Sequence, residues 1–258
     1  MNTPEHSPMK DQYSLFESRD YLDYYYSDVD IENAHIVRFL ADAYDVVQRG
    51  GRALELGGGP SVYQLVSMAD RVDEITFTDL LESNLLEVDR WRSGSSDRFQ
   101  WDHFIRATLA AEGGPTGAGD VTERADEVRR KITRLEVLDI ADGANPGKIA
   151  AAGPFSVISS FFVAESVFKD IVTWKSKLCT ILDSLEVGGY FVTGITTGST
   201  AYRVNDLEFT TLPIEQSHIM DLLAEARLRL SRFTYIPADT EVEERGYGGI
   251  VCFMARKV

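Results

Sequence analysis

The sequence predicts an α/β protein with a mainly parallel, doubly wound sheet, and three observations lead to this fold class. A short, mainly apolar run, Arg52–Leu56, ends in three consecutive glycines. A second apolar segment ends in Asp79 about twenty residues later, which is the spacing of a nucleotide-binding unit. Strand-like and helix-like segments then alternate along most of the chain, which favours a parallel sheet with helices on both faces.

The N-terminal part of the chain is unusually rich in aromatic residues. Six tyrosine or phenylalanine side chains fall between residues 13 and 26. Such a segment either packs on the core as a helix or forms a lid over a pocket. Residues 31–49 then repeat apolar side chains at helical spacing, and Gly50 with Gly51 ends this predicted helix. We expect a lid and helix, 1–50, in front of a domain of residues 51–258, together forming one compact unit.

The glycine loop, Gly57–Gly59, is the central motif of the sequence. Glycine lacks a Cβ atom, so the backbone can turn sharply and approach a ligand closely. Pro60 suits the first position of a helix, where its missing N–H costs nothing, and predicts a helix over residues 60–69. Residues 72–79 predict the next strand, whose final residue, Asp79, is placed to bind both ribose hydroxyls of an adenosine.

The kind of nucleotide follows from what the loop lacks. A dinucleotide fingerprint would need glycine at Val62, and a P-loop would need a lysine after the glycines; neither is present. The acidic Glu55 before the loop favours a cationic ligand such as S-adenosylmethionine. The alternative is a glycine-rich turn that binds no ligand. Asp79 argues against it, because it stands where a nucleotide-binding protein has its ribose-binding acid.

The remaining elements are predicted in order. Residues 93–119 carry a weak pattern, and 113–119 read as a loop. Helices are predicted over 82–92, 120–134, 169–185 and 214–226, with strands over 134–138 and 154–162 and a strand entered through Gly188 and Gly189. Residues 228–235 and 249–256 predict an antiparallel pair at the sheet edge. The carboxyl ends of parallel strands meet at one rim, so we expect a ligand there, near the glycine loop, Asp79, Asp139 and 159–161.

Composition narrows the classes of partner. The chain has 258 residues and a net charge of −15, and its one basic cluster is 129–131, so nucleic acid is an unlikely partner for it. No apolar run approaches the roughly eighteen residues of a membrane span, and residues 1–10 are polar. The two cysteines are predicted to be buried thiols, and the four histidines form no zinc motif. We expect a soluble, cytoplasmic protein without a metal, as a monomer or homodimer.

Three motifs carry a resemblance to a known family. They are FESRDYLDYYY at residues 16–26, GGGPSVYQL at residues 57–65, and Thr78 and Asp79 with Asn84. From residue 13 onward, the chain is similar to the family that includes the nicotinamide, phenylethanolamine and indolethylamine N-methyltransferases. The first motif is the most diagnostic because most methyltransferases with this sheet lack it. The resemblance implies a Rossmann-like methyltransferase fold with seven strands, an N-terminal helical lid, and S-adenosylmethionine as cofactor.

The resemblance also implies roles for individual residues. Tyr21 would cover the pocket between cofactor and acceptor, and Tyr26 would bind the methionine carboxylate. Asp79 would hold the ribose with Asn84 beside it, and Tyr202 matches a tyrosine on the acceptor side. The other positions implied to line the cofactor are Gly57, Gly58, Gly59, Tyr63, Asp139, Ile140, Ser160 and Phe161.

Departures from the family concern the acceptor pocket. Ile195 stands where the nicotinamide enzymes have an aspartate, which argues against nicotinamide as acceptor. Glu165 lies close to the position of a glutamate in the amine enzymes, where it could bind an ammonium group and take its proton. The alternative for Glu165 is a solvated carboxylate at a helix start, and for Tyr202 a tyrosine of the core. Near the last strand, Glu243 and Glu244 flank the position of another family acid, and the directly matched residue is Arg245.

The predicted function is methylation of a small amine or N-heterocycle from S-adenosylmethionine. Such a displacement needs no metal, because holding the nucleophile, methyl and sulfur in line within a dry site does most of the work. Three alternatives remain open at this point. They are a cyclase or lyase acting on the cofactor itself, a regulatory protein that binds the cofactor without catalysis, and, more distantly, a dinucleotide oxidoreductase.

Overall fold

A seven-stranded sheet forms the centre of the protein in a computed structural model that describes residues 13–198, 200–238 and 246–258. The strands are β1 (Arg52–Leu56), β2 (Glu74–Asp79), β3 (Ile132–Val137), β4 (Phe155–Phe161), β5 (Leu185–Thr197), β6 (Ala201–Val204), β7 (Leu207–Thr210), β8 (Leu228–Pro237) and β9 (Gly249–Lys257). The sheet order is β3-β2-β1-β4-β5-β9-β8, and β6 and β7 form a separate hairpin. The first five strands are parallel, and β9 is antiparallel to both β5 and β8. The predicted doubly wound sheet and its antiparallel edge pair are confirmed.

Helices cover both faces of this sheet. They are α1 (Ser18–Tyr26), α2 (Ile31–Tyr44), α3 (Val66–Ala69), α4 (Glu82–Arg92), α5 (Asp102–Ala111), α6 (Ala118–Lys131), α7 (Asn145–Ala152), α8 (Ala164–Val167), α9 (Ile171–Leu182) and α10 (Gln216–Glu225). On one face, α2, α3, α5 and α6 pack over Ala53, Phe77 and Val157. On the other, α9 and α10 pack over Leu54, Ile158 and Phe253. Strand side chains alternate between the two faces, so each buried strand contributes to both cores.

The glycine loop is longer than predicted, and the helix after it is shorter. A short 3₁₀ turn, Tyr63–Leu65, precedes α3, so Pro60 lies in the loop and not at the first position of a helix. Gly57 and Gly59 both have positive φ values, of 63° and 62°, which keep the backbone out of helical geometry through this turn. The helix predicted over residues 31–49 ends at Tyr44, where a tight turn to the buried Val47 closes it.

Several elements were not anticipated. Helix α5 lies within the weakly patterned region 93–119; its buried Phe104, Ile105, Thr108 and Leu109 do follow helical spacing, and that signal was missed. Helix α7 and the β6–β7 hairpin were also missed. Of the two cysteines predicted to be buried, Cys252 is buried and Cys179 is partly exposed.

Candidate active site

A cavity opens at the carboxyl ends of the parallel strands, where the sequence predicts a ligand site. It is bounded by the glycine loop, by residues that follow β2, β3 and β4, and by the N-terminal aromatic segment. Its volume is about 1210 Å³, counting space at the open mouth. Of the predicted site residues, all except Ser160 line this cavity.

The glycine loop forms one wall, and its geometry explains the glycines. A Cβ atom on Gly57 would lie 2.4 Å from the Val163 side chain, and one on Gly58 would lie 2.2 Å from the Phe77 ring. Gly59 differs, because apart from Gly59 and its two chain neighbours no atom of the described residues lies within 4 Å of where its Cβ would be. Its backbone therefore borders open space that a ligand can fill, as close backbone approach requires.

Side-chain hydrogen bonds from Ser61 and Gln64 stabilise this loop. The Ser61 hydroxyl donates to the Gly58 carbonyl oxygen over 3.0 Å, and the Gln64 amide donates to the same oxygen over 3.1 Å. The Gln64 amide also donates to a Glu55 oxygen over 3.2 Å. Glu55 is fully buried and does not line the cavity, so it does not face the space that a ligand would fill. It supports the loop instead.

Burial also makes Glu55 a source of pH-dependent stability. Loss of hydration raises the pKa of Glu55 to about 7 from an ordinary value of 4.5, and the Gln64 bond only partly opposes this. The folded protein thus binds a proton that the unfolded chain releases, so stability falls as pH rises from about 4.5 to 7.

Replacing Glu55 with glutamine should remove this loss. As the pH rises from 5 to 8, the unfolding free energy of the wild type should fall by about 3 kcal/mol relative to that of Glu55→Gln. Urea denaturation at both pH values measures the difference, with Glu74→Gln as an exposed control on β2. A stability difference that does not change with pH would contradict the buried, protonated state of Glu55.

Asp79 lies across from the loop and is held by three donors. One carboxylate oxygen accepts from Gly59 N over 2.9 Å; the other accepts from Leu81 N over 2.8 Å and from the Asn84 amide over 2.9 Å. Burial raises the pKa of Asp79, and these donors partly offset the rise. Asp79 does not cap α4, because Leu81 stands at the cap position and no side chain caps the helix. The Ser18 hydroxyl donates to Asn84 over 2.7 Å, which links α1 to Asp79.

Three tyrosines form a wall of hydroxyl groups. The Tyr21 and Tyr26 hydroxyls lie 3.4 Å apart, and the Tyr26 and Tyr63 rings lie 5.2 Å apart. Burial raises the pKa of all three phenols, so they remain protonated hydrogen-bond donors. The buried Tyr63 hydroxyl has no hydrogen-bond partner within the described part of the chain. A buried hydroxyl without a hydrogen-bond partner costs free energy, so the Tyr63 hydroxyl is suited to donate to an oxygen atom of a ligand.

Residues after β3 and at the end of β4 also line the cavity. Asp139 and Ile140 both line it, and an Asp139 oxygen accepts from Ala141 N over 2.9 Å. Phe161 also lines the cavity. Ser160 is buried and does not line the cavity, so the structure does not bring it together with the other residues predicted to bind the cofactor. Neighbouring side chains of a strand point to opposite faces, so Phe161 and Ser160 cannot both face the ligand.

Glu165 on α8 is buried, with 1% of its surface exposed, and lines the cavity. One carboxylate oxygen, Oε1, accepts from the backbone N–H of Thr196 over 2.8 Å and from its hydroxyl over 3.1 Å. The other, Oε2, has no hydrogen-bond partner among the described residues. Burial raises the pKa of Glu165 to about 7. The solvated-carboxylate alternative is therefore wrong for Glu165.

The acceptor side is completed by residues around Tyr202. Tyr202 on β6 lines the cavity and stacks on Phe209 of β7, with ring centroids 5.2 Å apart. Ile195 faces away from the cavity into the second core, and its neighbour Thr196 faces in. The hairpin that carries Tyr202 was not predicted, but Tyr202 does line the cavity.

Several lining residues were missed from sequence. Glu32 and Asn33 on α2 line the cavity, and the Tyr247 hydroxyl donates to Glu32 over 2.8 Å. The other missed polar or aromatic lining residues are Tyr13, Phe16, Tyr25, Ser61, Phe162, Ser166 and Thr196. Glu243, Glu244 and Arg245 lie outside the described residues.

Two further searches cover the described residues only. No group of three or more histidine, cysteine, aspartate or glutamate side chains there is arranged to hold a metal ion. None of the helices there is long and apolar enough to cross a membrane.

The sheet order, the open glycine loop and the acid at the end of β2 define a class of protein, the S-adenosylmethionine-dependent methyltransferases. Solved structures share this fold. The magnesium protoporphyrin IX methyltransferase of Synechocystis PCC 6803 aligns with a TM-score of 0.62 and 8% identity, over 100% of both chains. The N-methyltransferase NodS of Bradyrhizobium japonicum WM9 aligns with a TM-score of 0.54 and 13% identity, over 95% of this chain and 98% of that one.

Sequence comparisons are more specific. The chain is 25% identical to nicotinamide N-methyltransferase of Sus scrofa, over 96% of each protein. It is 25% identical to phenylethanolamine N-methyltransferase of Homo sapiens, over 100% of this chain and 94% of that protein. It is 22% identical to indolethylamine N-methyltransferase of Oryctolagus cuniculus, over 94% of this chain and 93% of that protein.

A sequence profile of the NNMT/PNMT/TEMT family matches residues 6–258, and the chain belongs to this family. The resemblance noted from the motifs is confirmed. The protein is a small-molecule N-methyltransferase that uses S-adenosylmethionine. The comparisons support neither a cyclase or lyase, nor a regulatory cofactor-binding protein, nor a dinucleotide oxidoreductase.

Proposed function

We propose that the methyl acceptor is an amine that enters as an ammonium ion and binds Glu165. The observation that carries this proposal is the unpartnered Oε2 atom of a carboxylate with 1% of its surface exposed, at the cavity wall. Burying such a group is costly unless a cation offsets it. Glu32, Asp79 and Asp139 line the same cavity, whereas lysine, arginine and histidine do not occur among its described lining residues. The wall thus favours cations over acids.

The pKa of Glu165 suits the proton transfer that an amine requires. An ammonium ion has no lone pair, so a base must take its proton before methyl transfer. A carboxyl whose pKa is about 7 is a stronger base than an ordinary glutamate and is still largely ionised just above neutral pH. Glu165 can therefore bind the ammonium ion first and accept its proton afterwards, directly or through one water molecule.

The residues near Glu165 can also hold S-adenosylmethionine. Asp79 would bind the ribose hydroxyls, and Tyr26 with Tyr63 would donate to the methionine carboxylate. Asp139 and Ile140 would flank the adenine. When bound, S-adenosylmethionine supplies an electrophilic methyl group on a sulfonium. Tyr21, Phe161 and Tyr202 line the remaining space, where they would exclude water and hold the amine in line with that methyl.

A product assay tests the proposed acceptor class. Purified protein with S-adenosylmethionine should form S-adenosylhomocysteine only when an amine is added, and phenylethanolamine and indolethylamine are suitable probes because relatives carry these names. Nicotinamide should be a poor acceptor, since it carries no ammonium group for Glu165. Turnover of nicotinamide alone, or release of methylthioadenosine, would overturn the proposal.

The N-terminal lid is a further part of this proposal. Helix α1 contributes Tyr21 and Tyr26 to the cavity, and Ser18 connects it through Asn84 to Asp79. Ribose binding at Asp79 should therefore order α1, and lids of this kind exclude water from the reaction.

Amide hydrogen exchange can measure that coupling. We expect exchange in residues 16–26 to slow when S-adenosylhomocysteine binds. Ser18→Ala should weaken the protection, while Ser93→Ala, at an exposed site after α4, should leave it unchanged. Equal exchange with and without the ligand would reduce α1 to a static packing helix.

Other expectations from the sequence stay predictions. They are the cytoplasmic location, the monomeric or homodimeric state, the lack of nucleic-acid binding, and the division into a lid and helix of residues 1–50 and a domain of residues 51–258.

A further inference from the structure

Strand β5 presents Thr196 to the cavity at the point where the strand passes α8. Its neighbour Ile195 is buried in the second core, so strand alternation fixes the side chain of Thr196 on the cavity side. Its backbone cannot shift freely, because Thr196 pairs with Ile250 in the β5–β9 ladder. Thr196 thus has a position set by the sheet and not by a loop.

The backbone N–H and the hydroxyl of Thr196 both donate to the same carboxylate oxygen of Glu165. The backbone N–H lies 2.8 Å and the hydroxyl 3.1 Å from Oε1, and Oε2 accepts from no described residue. The main chain of Glu165 is held separately, because its carbonyl accepts from Leu212 N over 2.7 Å. These contacts give the carboxylate one orientation, in which Oε1 accepts two hydrogen bonds and Oε2 has no partner among the described residues.

We propose that Thr196 is a positioning residue for methyl transfer, which binds Oε1 of Glu165 through two donors and leaves Oε2 to the acceptor ammonium. This inference rests on the proposed role of Glu165. It adds that the two carboxylate oxygens have different roles: Oε1 accepts hydrogen bonds from the protein, and Oε2 binds the ammonium group of the substrate and accepts its proton.

The surroundings of Glu165 show why such a donor pair is useful. Tyr13 lies beside α8, its hydroxyl donating to the Ser166 carbonyl over 3.2 Å, and Tyr202 faces the site from β6. Three other carboxylates line the cavity, namely Glu32, Asp79 and Asp139. Burial is the main cause that raises the pKa of Glu165, and the Thr196 bonds oppose it. Without the hydroxyl, the carboxylate would be protonated at a higher pH.

Carbon-13 NMR of the cofactor-free protein tests the inference without any acceptor. Protein labelled at the glutamate carboxyl carbon is titrated, and the Glu165 signal is assigned from its loss in Glu165→Gln. Thr196→Val keeps the shape and the backbone N–H but removes the hydroxyl. We expect its Glu165 titration midpoint to rise by about 1 pH unit, since bonds to charged groups are the stronger kind. Thr196→Ser restores a hydroxyl and should titrate as wild type.

The same variants separate this inference from the proposed function. With phenylethanolamine as probe, Thr196→Val should lower kcat/KM about fivefold at pH 7 and little at pH 9, as a shift of about 1 unit requires. A loss equal at both pH values, or an unchanged NMR midpoint, would overturn the role of Thr196. If instead the midpoint shifts as expected while Glu165→Gln turns over amines normally, the role of Glu165 as amine anchor fails and Thr196 acts on a carboxylate that does not serve the acceptor, which also overturns the inference.

Discussion

Replacing Asp79 with alanine should weaken binding of S-adenosylhomocysteine by roughly 30-fold to 1000-fold. The carboxylate would provide two charge-assisted hydrogen bonds to the ribose, together worth about 2–4 kcal/mol. The same change removes the acceptor that holds Gly59 N over 2.9 Å, so the loop should also lose order. Isothermal titration calorimetry measures the affinity directly.

A matched variant controls for the loss of an acidic side chain elsewhere in the protein. Asp73→Ala alters an exposed acid just before β2, away from the cavity, and should bind the ligand as wild type does. Thermal melting checks that Asp79→Ala remains folded. Unchanged affinity in a folded Asp79→Ala protein would rule out Asp79 as the ribose ligand.

Replacing Glu165 with glutamine should lower kcat/KM for amines by roughly 100-fold or more. The amide keeps the shape and can still accept a hydrogen bond from Thr196, but it neither offsets an ammonium charge nor takes its proton, and loss of a general base alone costs 10²–10⁴. Binding of S-adenosylhomocysteine should change little, because the residues proposed to hold the cofactor do not include Glu165. Glu186→Gln, an exposed change on β5, is the control and should behave as wild type.

The pH profile sharpens this prediction. The pKa of Glu165 is raised to about 7, so the ionised form required for binding an ammonium ion is lost as pH falls through that value. Wild-type kcat/KM should therefore decline below about pH 7, and Glu165→Gln should lack this limb of the profile. A variant with full activity and the same acid limb would show that another group serves the amine.

Much of the fold was predictable because its signals are local. The glycines of the loop, the acid at the end of β2 and the alternation of strands and helices each depend on a short stretch of sequence. Helix α4 matches its predicted bounds of residues 82–92. One error arose where tertiary packing decides, in the loop around Pro60, which the side chains of Ser61 and Gln64 hold in a non-helical form.

Site residues could be predicted from sequence where they lie at or just after the carboxyl end of a strand. Asp79, Asp139 and Phe161 follow this rule, whereas Ser160 does not, because one residue along a strand reverses the face. Thr196 and Glu32 could not be assigned from sequence. Thr196 reaches Glu165 across 31 positions of chain, and Tyr247 reaches Glu32 across 215, so only the folded structure brings either pair together.

The most direct test of the central claim is a crystal structure of the protein with S-adenosylhomocysteine and phenylethanolamine, solved above pH 7. The account predicts that the amine nitrogen lies within about 3 Å of Glu165 Oε2, or is joined to it by one water molecule, while Thr196 binds Oε1. The ribose should lie on Asp79 and the methionine carboxylate on the tyrosine hydroxyls. An amine nitrogen bound away from Glu165, with Oε2 contacting neither it nor a bridging water, would contradict the account.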